Sequence, residues 1–119
     1  MDTQIHSLMV GVGQVSLFLR YARSLKDKRQ AISGIKKKLS NLGFSVTECA
    51  FADIPKQASI GFAYAGREPA AVKQLLDQAL RLFIGEWEIV SQNTDVFDYS
   101  FDKESEFSKS FEDDPENRT

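Results

Sequence analysis

The sequence holds little of what catalytic and metal sites usually require. Cys49 is the single cysteine and His6 the single histidine. One cysteine excludes a disulfide within the chain, and neither residue has a neighbour at metal-ligand spacing. The sequence contains no HExxH or CxxC motif and no Ser/His/Asp or Cys/His pairing. These absences predict a protein that is not an enzyme and that binds no cofactor or metal.

Long hydrophobic runs are also missing. No stretch reaches the about 20 apolar residues that a membrane-spanning helix needs. The opening run LMVGVGQVSLFL is interrupted by Gln14 and Ser16, and no lysine or arginine precedes it, so we do not expect a signal peptide. We therefore expect a cytoplasmic protein with no membrane partner.

The charges are unevenly distributed, although the net charge is only −2. Residues 95–119 hold nine of the 17 acids and three of the 15 bases, which leaves eight acids and 12 bases before them. Eight of those bases lie between Arg20 and Lys38, where Asp27 is the one acid. The body of the chain is therefore mildly basic, and its end is strongly acidic.

A first strand is predicted by alternation between Leu8 and Leu19. Val15, Leu17 and Leu19 fall on one face of this stretch, while Phe18 falls on the other. This period of two is typical of a half-buried strand.

A first helix is predicted directly afterwards. Ser24 is a suitable N-cap residue, and Asp27 stands three residues later, as in a capping box with aspartate in place of glutamate. Apolar residues then recur at helical spacing between Leu25 and Leu42, and Gly43 is placed to end the helix.

The rest of the chain predicts a hairpin, a helix and a strand. Phe44–Phe51 and Ala58–Ala65 are rich in β-branched and aromatic residues, and the turn sequence ADIPKQ separates them. Pro69 fits the first turn of a second helix that ends at Gly85, and Trp87–Tyr99 gives a last strand. We expect one domain over residues 1–99 and an acidic, disordered tail over residues 100–119.

The element order βαββαβ predicts an α+β fold of ferredoxin-like arrangement. Right-handed crossovers give a four-stranded antiparallel sheet with two helices on one face. This topology places the start of the first helix and the hairpin loop at the same rim of the sheet.

The first helix is a candidate surface for anions. Lys26, Arg29, Lys36 and Lys37 lie roughly opposite its apolar stripe, so they form either a solvated face or a contact surface for phosphates. The start of a helix also exposes unpaired amides and the positive end of the macrodipole. The candidate residues for anion or RNA-backbone binding are Arg23, Ser24, Lys26, Lys28, Arg29, Lys36 and Lys37.

Lys28 occupies an unusual position, at the centre of the apolar stripe between Leu25 and Ile32. A buried, unpaired ammonium is costly, so this side chain must either extend past the end of the sheet or find an acidic partner. The candidate partners are Asp53 in the hairpin loop, Glu86 and the acidic tail. The alternative is that Lys28 joins the other cations in binding an anion.

The open face of the predicted sheet offers two further possibilities. Phe18, Phe62 and Tyr64 are available to stack bases, as aromatics do in RNA-recognition domains of this topology, although the sequence lacks the corresponding signature. The strand phase does not decide which face Phe62 and Tyr64 occupy. Val10 and Val12 share the face of Phe18, which favours a core role or a homodimer through this face.

The stretch VGVGQVSLFLRYARSLKDKR, residues 10–29, resembles the start of the YlxP-like family, a small bacterial group of uncharacterised function. Its most specific mark is R-S-L-K-D-K-R, carried here by Arg23–Arg29. The resemblance implies a ferredoxin-like fold. Because members are often encoded beside translation and ribosome-maturation genes, it also implies a connection with RNA or the ribosome. The family's loop resembling D-L-W-Q is replaced here by residues 53–56, Asp-Ile-Pro-Lys.

These observations lead to one functional expectation and two alternatives. We expect a noncatalytic module that contacts RNA or a ribosomal particle through the basic first helix. One alternative is a protein-interaction or dimerisation module in which Phe101, Phe107 and Phe111 of the acidic tail dock on a partner. The other is a domain that binds a phosphorylated metabolite at the start of the first helix.

Overall fold

The computed structural model describes residues 6–85 and 87–100. The strands and helices are β1 (Met9–Phe18), α1 (Leu25–Asn41), β2 (Ser45–Ala50), β3 (Gln57–Gly66), α2 (Pro69–Arg81) and β4 (Glu88–Asp98). The strands form one antiparallel sheet in the order β2-β3-β1-β4. This confirms the predicted α+β, ferredoxin-like arrangement.

The end of the described chain is attached to the sheet. Ser100 accepts a hydrogen bond through its hydroxyl from the backbone N–H of Leu8, at 3.0 Å. The predicted tail beyond it, with Phe101, Phe107 and Phe111, lies outside the described residues. Within residues 6–85 and 87–100, neither helix is both long and apolar enough to cross a membrane.

The alternation of β1 sorts the sheet into a covered face and an open face. Val15 and Leu17 are buried and pair in register with Ile60 and Ala58 of β3. Phe18 points to the opposite face, as its position in the alternation predicts. The helices therefore cover the side of the sheet that carries Val15 and Leu17.

The register of β3 settles the position of two aromatic residues that the sequence left open. Phe62 pairs with Gly13 and Tyr64 pairs with Gly11, so both lie on the covered face. The Phe62 ring meets Phe44 edge-on, with 5.3 Å between ring centroids, and stacks on Phe83 at 5.7 Å. Phe62 is a core residue and Tyr64 packs, partly buried, against the core, so neither is available to stack bases on the open face.

Two glycines in β1 make room for this packing. A Cβ on Gly11 would lie only 2.6 Å from Cγ1 of Val72, and a Cβ on Gly13 would meet the Phe62 ring. Side chains at these positions would push α2 and the aromatic core away from the sheet. The covered face is therefore closely packed around β1.

The helices largely follow the sequence prediction. The α1 helix begins after Ser24 and ends at Asn41, before Gly43 with its positive φ of 102°. The α2 helix ends at Arg81 and not near Gly85, so the predicted end is wrong by about one turn. The chain turns through Leu82 after α2, and Phe83 is then buried against the sheet.

Candidate nucleic-acid interface

The exposed side of α1 carries four of the predicted cations. Lys26, Arg29 and Lys37 are exposed and Lys36 is half-buried. At about 100° per residue the four fall within a sector of about 100°, and from Lys26 to Lys37 they extend for about 16 Å along the axis. We call these four residues the basic face of α1.

Within residues 6–85 and 87–100, no carboxylate forms an ion pair with the basic face of α1 or with Arg23, which is also exposed. Arg23, Lys26, Arg29 and Lys37 are exposed to solvent on this part of the chain. Such a stripe of unneutralised cations attracts polyanions.

The start of α1 is capped by its own side chains. The Ser24 hydroxyl accepts a hydrogen bond from the Asp27 N–H at 3.1 Å, and the Asp27 carboxylate accepts one from the Arg23 N–H at 2.9 Å. This confirms the predicted cap, with the carboxylate reaching back to Arg23. Because Ser24 is committed to the cap and Asp27 brings a negative charge to the terminus, the positive charge at this end of α1 comes from the neighbouring cationic side chains.

Lys28 does not belong to this surface, which corrects its place among the candidate anion-binding residues. Its side chain is 1% exposed, and its Nζ lies 2.7 Å from Oε2 of Glu48. The ammonium also donates to the carbonyl oxygens of Ile54, at 3.0 Å, and Phe51. Two carbonyl oxygens accept hydrogen bonds from the ammonium and one carboxylate oxygen balances its charge, so Lys28 is a structural ion-pair residue that no external anion reaches.

The contacts of Lys28 fix the hairpin loop between β2 and β3 beside α1. Phe51, at the start of this loop, has a positive φ of 66°, which is uncommon for a residue other than glycine. At the other end of the loop, the Lys56 ammonium donates to the Arg20 carbonyl at 2.6 Å, and the Leu19 N–H donates to the Lys56 carbonyl at 2.7 Å. The loop is therefore bound to the end of β1 as well as to α1.

A groove of about 240 Å³ opens on the uncovered face of the sheet at this end. It is lined by Ser16, Leu17, Phe18, Phe51, Gln57, Val90 and Ser91. Phe18 pairs in register with Gln57, and Ser16 with Ser91, so four of the lining residues share the open face. We call this the Phe18–Phe51 groove.

The sequence indicated Phe18 as an open-face aromatic but not Phe51. The pattern placed Phe51 at the end of a strand, and a positive φ at a phenylalanine has no recognisable sequence signal. Arg20 was also outside the candidate set, yet its guanidinium carbon lies 5.8 Å from the centre of the Phe18 ring. Arg20 forms an exposed ion pair with Glu88 at 3.0 Å.

A second hollow, of about 170 Å³, lies against the start of α1. Its lining includes Arg20, Tyr21, Asp27 and Trp87. Arg20 is already paired with Glu88, and Asp27 contributes a carboxylate, so the hollow does not concentrate positive charge. It is therefore a poor match for the phosphate group of a metabolite.

The fold and its exposed cationic helix define a small α+β protein of ferredoxin-like topology. Residues 10–96 match a family described as "Protein of unknown function (DUF503)". The chain belongs to the DUF503 family, whose description assigns no catalytic activity. No curated protein matches the chain.

Solved structures share only a distant similarity of chain trace. The YxeP protein of Bacillus subtilis, a dinuclear metal-binding peptidase of the M20 family, is 14% identical with a TM-score of 0.48, and the match covers 93% of this chain and 32% of that one. The present chain thus spans about a third of that peptidase. The de novo design Foldit4 is 14% identical, TM-score 0.41, covering 80% of this chain and 98% of the design. Protein SO0527 from Shewanella oneidensis is 15% identical, TM-score 0.44, covering 84% and 99%.

Proposed function

We propose that the protein is a noncatalytic module that contacts RNA, free or within a ribosomal particle, through the basic face of α1 together with Arg23. The observation that carries the proposal is the lack of any ion pair at these five cations within residues 6–85 and 87–100. A cation with a carboxylate partner must exchange that partner for a phosphate. These side chains bind phosphate without that cost.

The arrangement of the cations suits a nucleic-acid backbone better than a small anion. The basic face extends for about 16 Å along α1, which is longer than any single phosphate group. A strand laid along the helix would pass Lys26 and Arg29 first and Lys36 and Lys37 about two turns later, and each phosphate contact would release condensed counterions. A polyanion can therefore contact all the cations of the basic face, whereas the phosphate of a metabolite contacts only those at one end of it.

The resemblance of residues 10–29 to the YlxP-like family supports the same proposal. Members of that family are often encoded beside translation and ribosome-maturation genes, which favours RNA over other polyanions. The proposed setting is the cytoplasm, where such particles assemble.

The salt dependence of RNA binding tests the proposal. Fluorescence anisotropy of the full chain with a labelled single-stranded RNA would be followed from about 50 to about 200 mM salt. Five phosphate contacts predict a slope of log K against log salt of about −3.5, from about −0.7 per contact on a single strand. A slope near zero, or no binding at the lowest salt, would contradict the proposal.

A second candidate function, homodimerisation through the open face of the sheet, is favoured by one observation. Val10 of β1 pairs in register with Phe97 of β4, and Phe97 is 44% exposed at the end of the sheet far from the Phe18–Phe51 groove. A second copy covering this apolar pair would remove it from water. In sedimentation velocity, a dimer that Phe97→Asp dissociates and Ile84→Asp does not would support this function. A monomer at every concentration would exclude it.

A further inference from the structure

We propose that the Phe18–Phe51 groove binds an unpaired base of a single-stranded RNA whose phosphates lie along the basic face of α1. This inference rests on the proposed function and adds to it a second contact of different chemistry. The basic face binds the backbone of any strand. The groove would make the protein prefer a strand with unpaired bases.

The walls of the groove are suited to a flat aromatic ring. Phe18 stands on the open face at the end of β1, and Phe51 reaches the same groove from the hairpin loop. Phe51 is 40% exposed although it belongs to a residue type that is usually buried. Unpaired bases stack on such exposed aromatic side chains, and this contact accepts every base because each has a π face.

The polar groups of the groove are neutral, which favours a base over an anion or a lipid chain. Gln57 supplies an amide with donors and an acceptor, and Ser91 supplies a hydroxyl. Ser16 donates its own proton to the buried Ser59 hydroxyl at 3.4 Å and keeps its oxygen as an acceptor. A hydrocarbon chain would leave these groups without partners, whereas the edge of a base carries both donors and acceptors.

The groove opens on the face of the sheet that the helices leave uncovered, so one strand would reach both surfaces around the end of β1. The chain passes from Phe18 at the end of β1 through a six-residue connection, residues 19–24, to the start of α1. Arg20, in this connection, lies over the Phe18 ring, and its ion pair with Glu88 is exposed and therefore weak. A guanidinium so placed can meet a phosphate or stack on a base between the groove and α1.

Lys28 positions the groove relative to α1. Its ammonium donates to the Phe51 carbonyl and forms an ion pair with Glu48. Phe51, whose φ is 66°, is therefore held by a side chain of α1. The ion pair is thus a positioning device for Phe51, and it makes no contact with RNA. This contact fixes the backbone of Phe51 beside the helix that carries the cations.

The test compares RNA with an abasic strand of the same length and charge, using the full chain and anisotropy at fixed salt. We expect the wild type to bind the RNA about tenfold or more tighter than the abasic strand, because stacking of even one base contributes about that much. Phe51→Ala should abolish this preference and leave abasic binding unchanged. Phe51→Trp should retain the preference, and the exposed control Ile84→Ala should behave as the wild type.

The outcomes separate this inference from the proposed function. If RNA and abasic strand bind the wild type equally and with steep salt dependence, the result supports RNA binding by the basic face and overturns the groove proposal. Retention of the preference by Phe51→Ala, in a variant whose thermal midpoint matches that of Ile84→Ala, overturns it as well. If neither strand binds, both proposals fail together.

Discussion

The Lys28 ammonium lies 2.7 Å from the Glu48 carboxylate, across the contact between α1 and β2 and at the centre of an otherwise apolar helix stripe. The pair therefore joins the basic helix to the sheet edge and, through the Phe51 carbonyl, to the groove. A buried cation here is tolerated because a carboxylate and two carbonyl oxygens surround it.

The first prediction concerns the stability that depends on this pair. Lys28→Met should lower the free energy of unfolding by about 2 kcal/mol, since it leaves the Glu48 carboxylate, whose side chain is only 19% exposed, without its counter-charge. Lys37→Met, on the exposed side of the same helix, should change it by less than about 0.5 kcal/mol. Urea unfolding of both variants measures the difference. Equal stabilities would show that the pair contributes nothing.

The helix cap gives a second prediction. Ser24→Ala should lower the free energy of unfolding by about 1 kcal/mol, because the Asp27 N–H loses its acceptor. Ser40→Ala, at an exposed position in the last turn of α1, is the matched control and should not destabilise the protein. The account of the cap is wrong if chemical unfolding shows the same midpoint for the two variants.

A third prediction concerns the titration of Asp98, next to the end of the described chain. Hydrogen bonds from the side chain and then the backbone of Ser100 lower the pKa of the Asp98 carboxyl below its ordinary value of 3.8. A lowered pKa means that these bonds favour the folded state above pH 3.8, and that their contribution is lost as the pH falls through the folded-state pKa.

Carbon-detected NMR of the Asp98 carboxyl should therefore give a midpoint below 3.8. In Ser100→Ala the midpoint should move toward 3.8 without reaching it, because the backbone N–H of residue 100 still donates at 2.8 Å. An unchanged midpoint in the variant would show that the Ser100 hydroxyl has no part in the shift.

The fold follows from patterns that local physical chemistry imposes on the sequence. The alternation of Val15 and Leu17 and the stripe through Ile32 and Leu39 each identify one buried face, and these faces can meet in few topologies. The end of α2 was predicted less well, because Gly85 looked like a helix terminator while the chain already turns after Arg81 to bury Phe83.

The candidate site was predictable only in part. The position of Lys28 in the apolar stripe showed that it needed a partner, but the partner is Glu48 and not Asp53. The strand phase of β2, which places Glu48 on the helix side, is set by pairing with β3 and is not visible in β2 alone. The contribution of Phe51 depends on a backbone angle that tertiary contacts impose.

The measurement that tests the central claim most directly is a comparison of two charge-reversed variants in RNA binding. One carries Lys26→Glu, Arg29→Glu and Lys37→Glu on α1; the other carries the same net charge change through substitutions at exposed positions elsewhere, Arg67→Glu, Lys73→Glu and Arg81→Glu. We predict that the α1 variant loses affinity about tenfold or more and that its salt slope becomes shallower by about 2, while the other variant stays near the wild type. Equal affinities for the two variants would contradict the account, because binding would then follow net charge and not the basic face of α1.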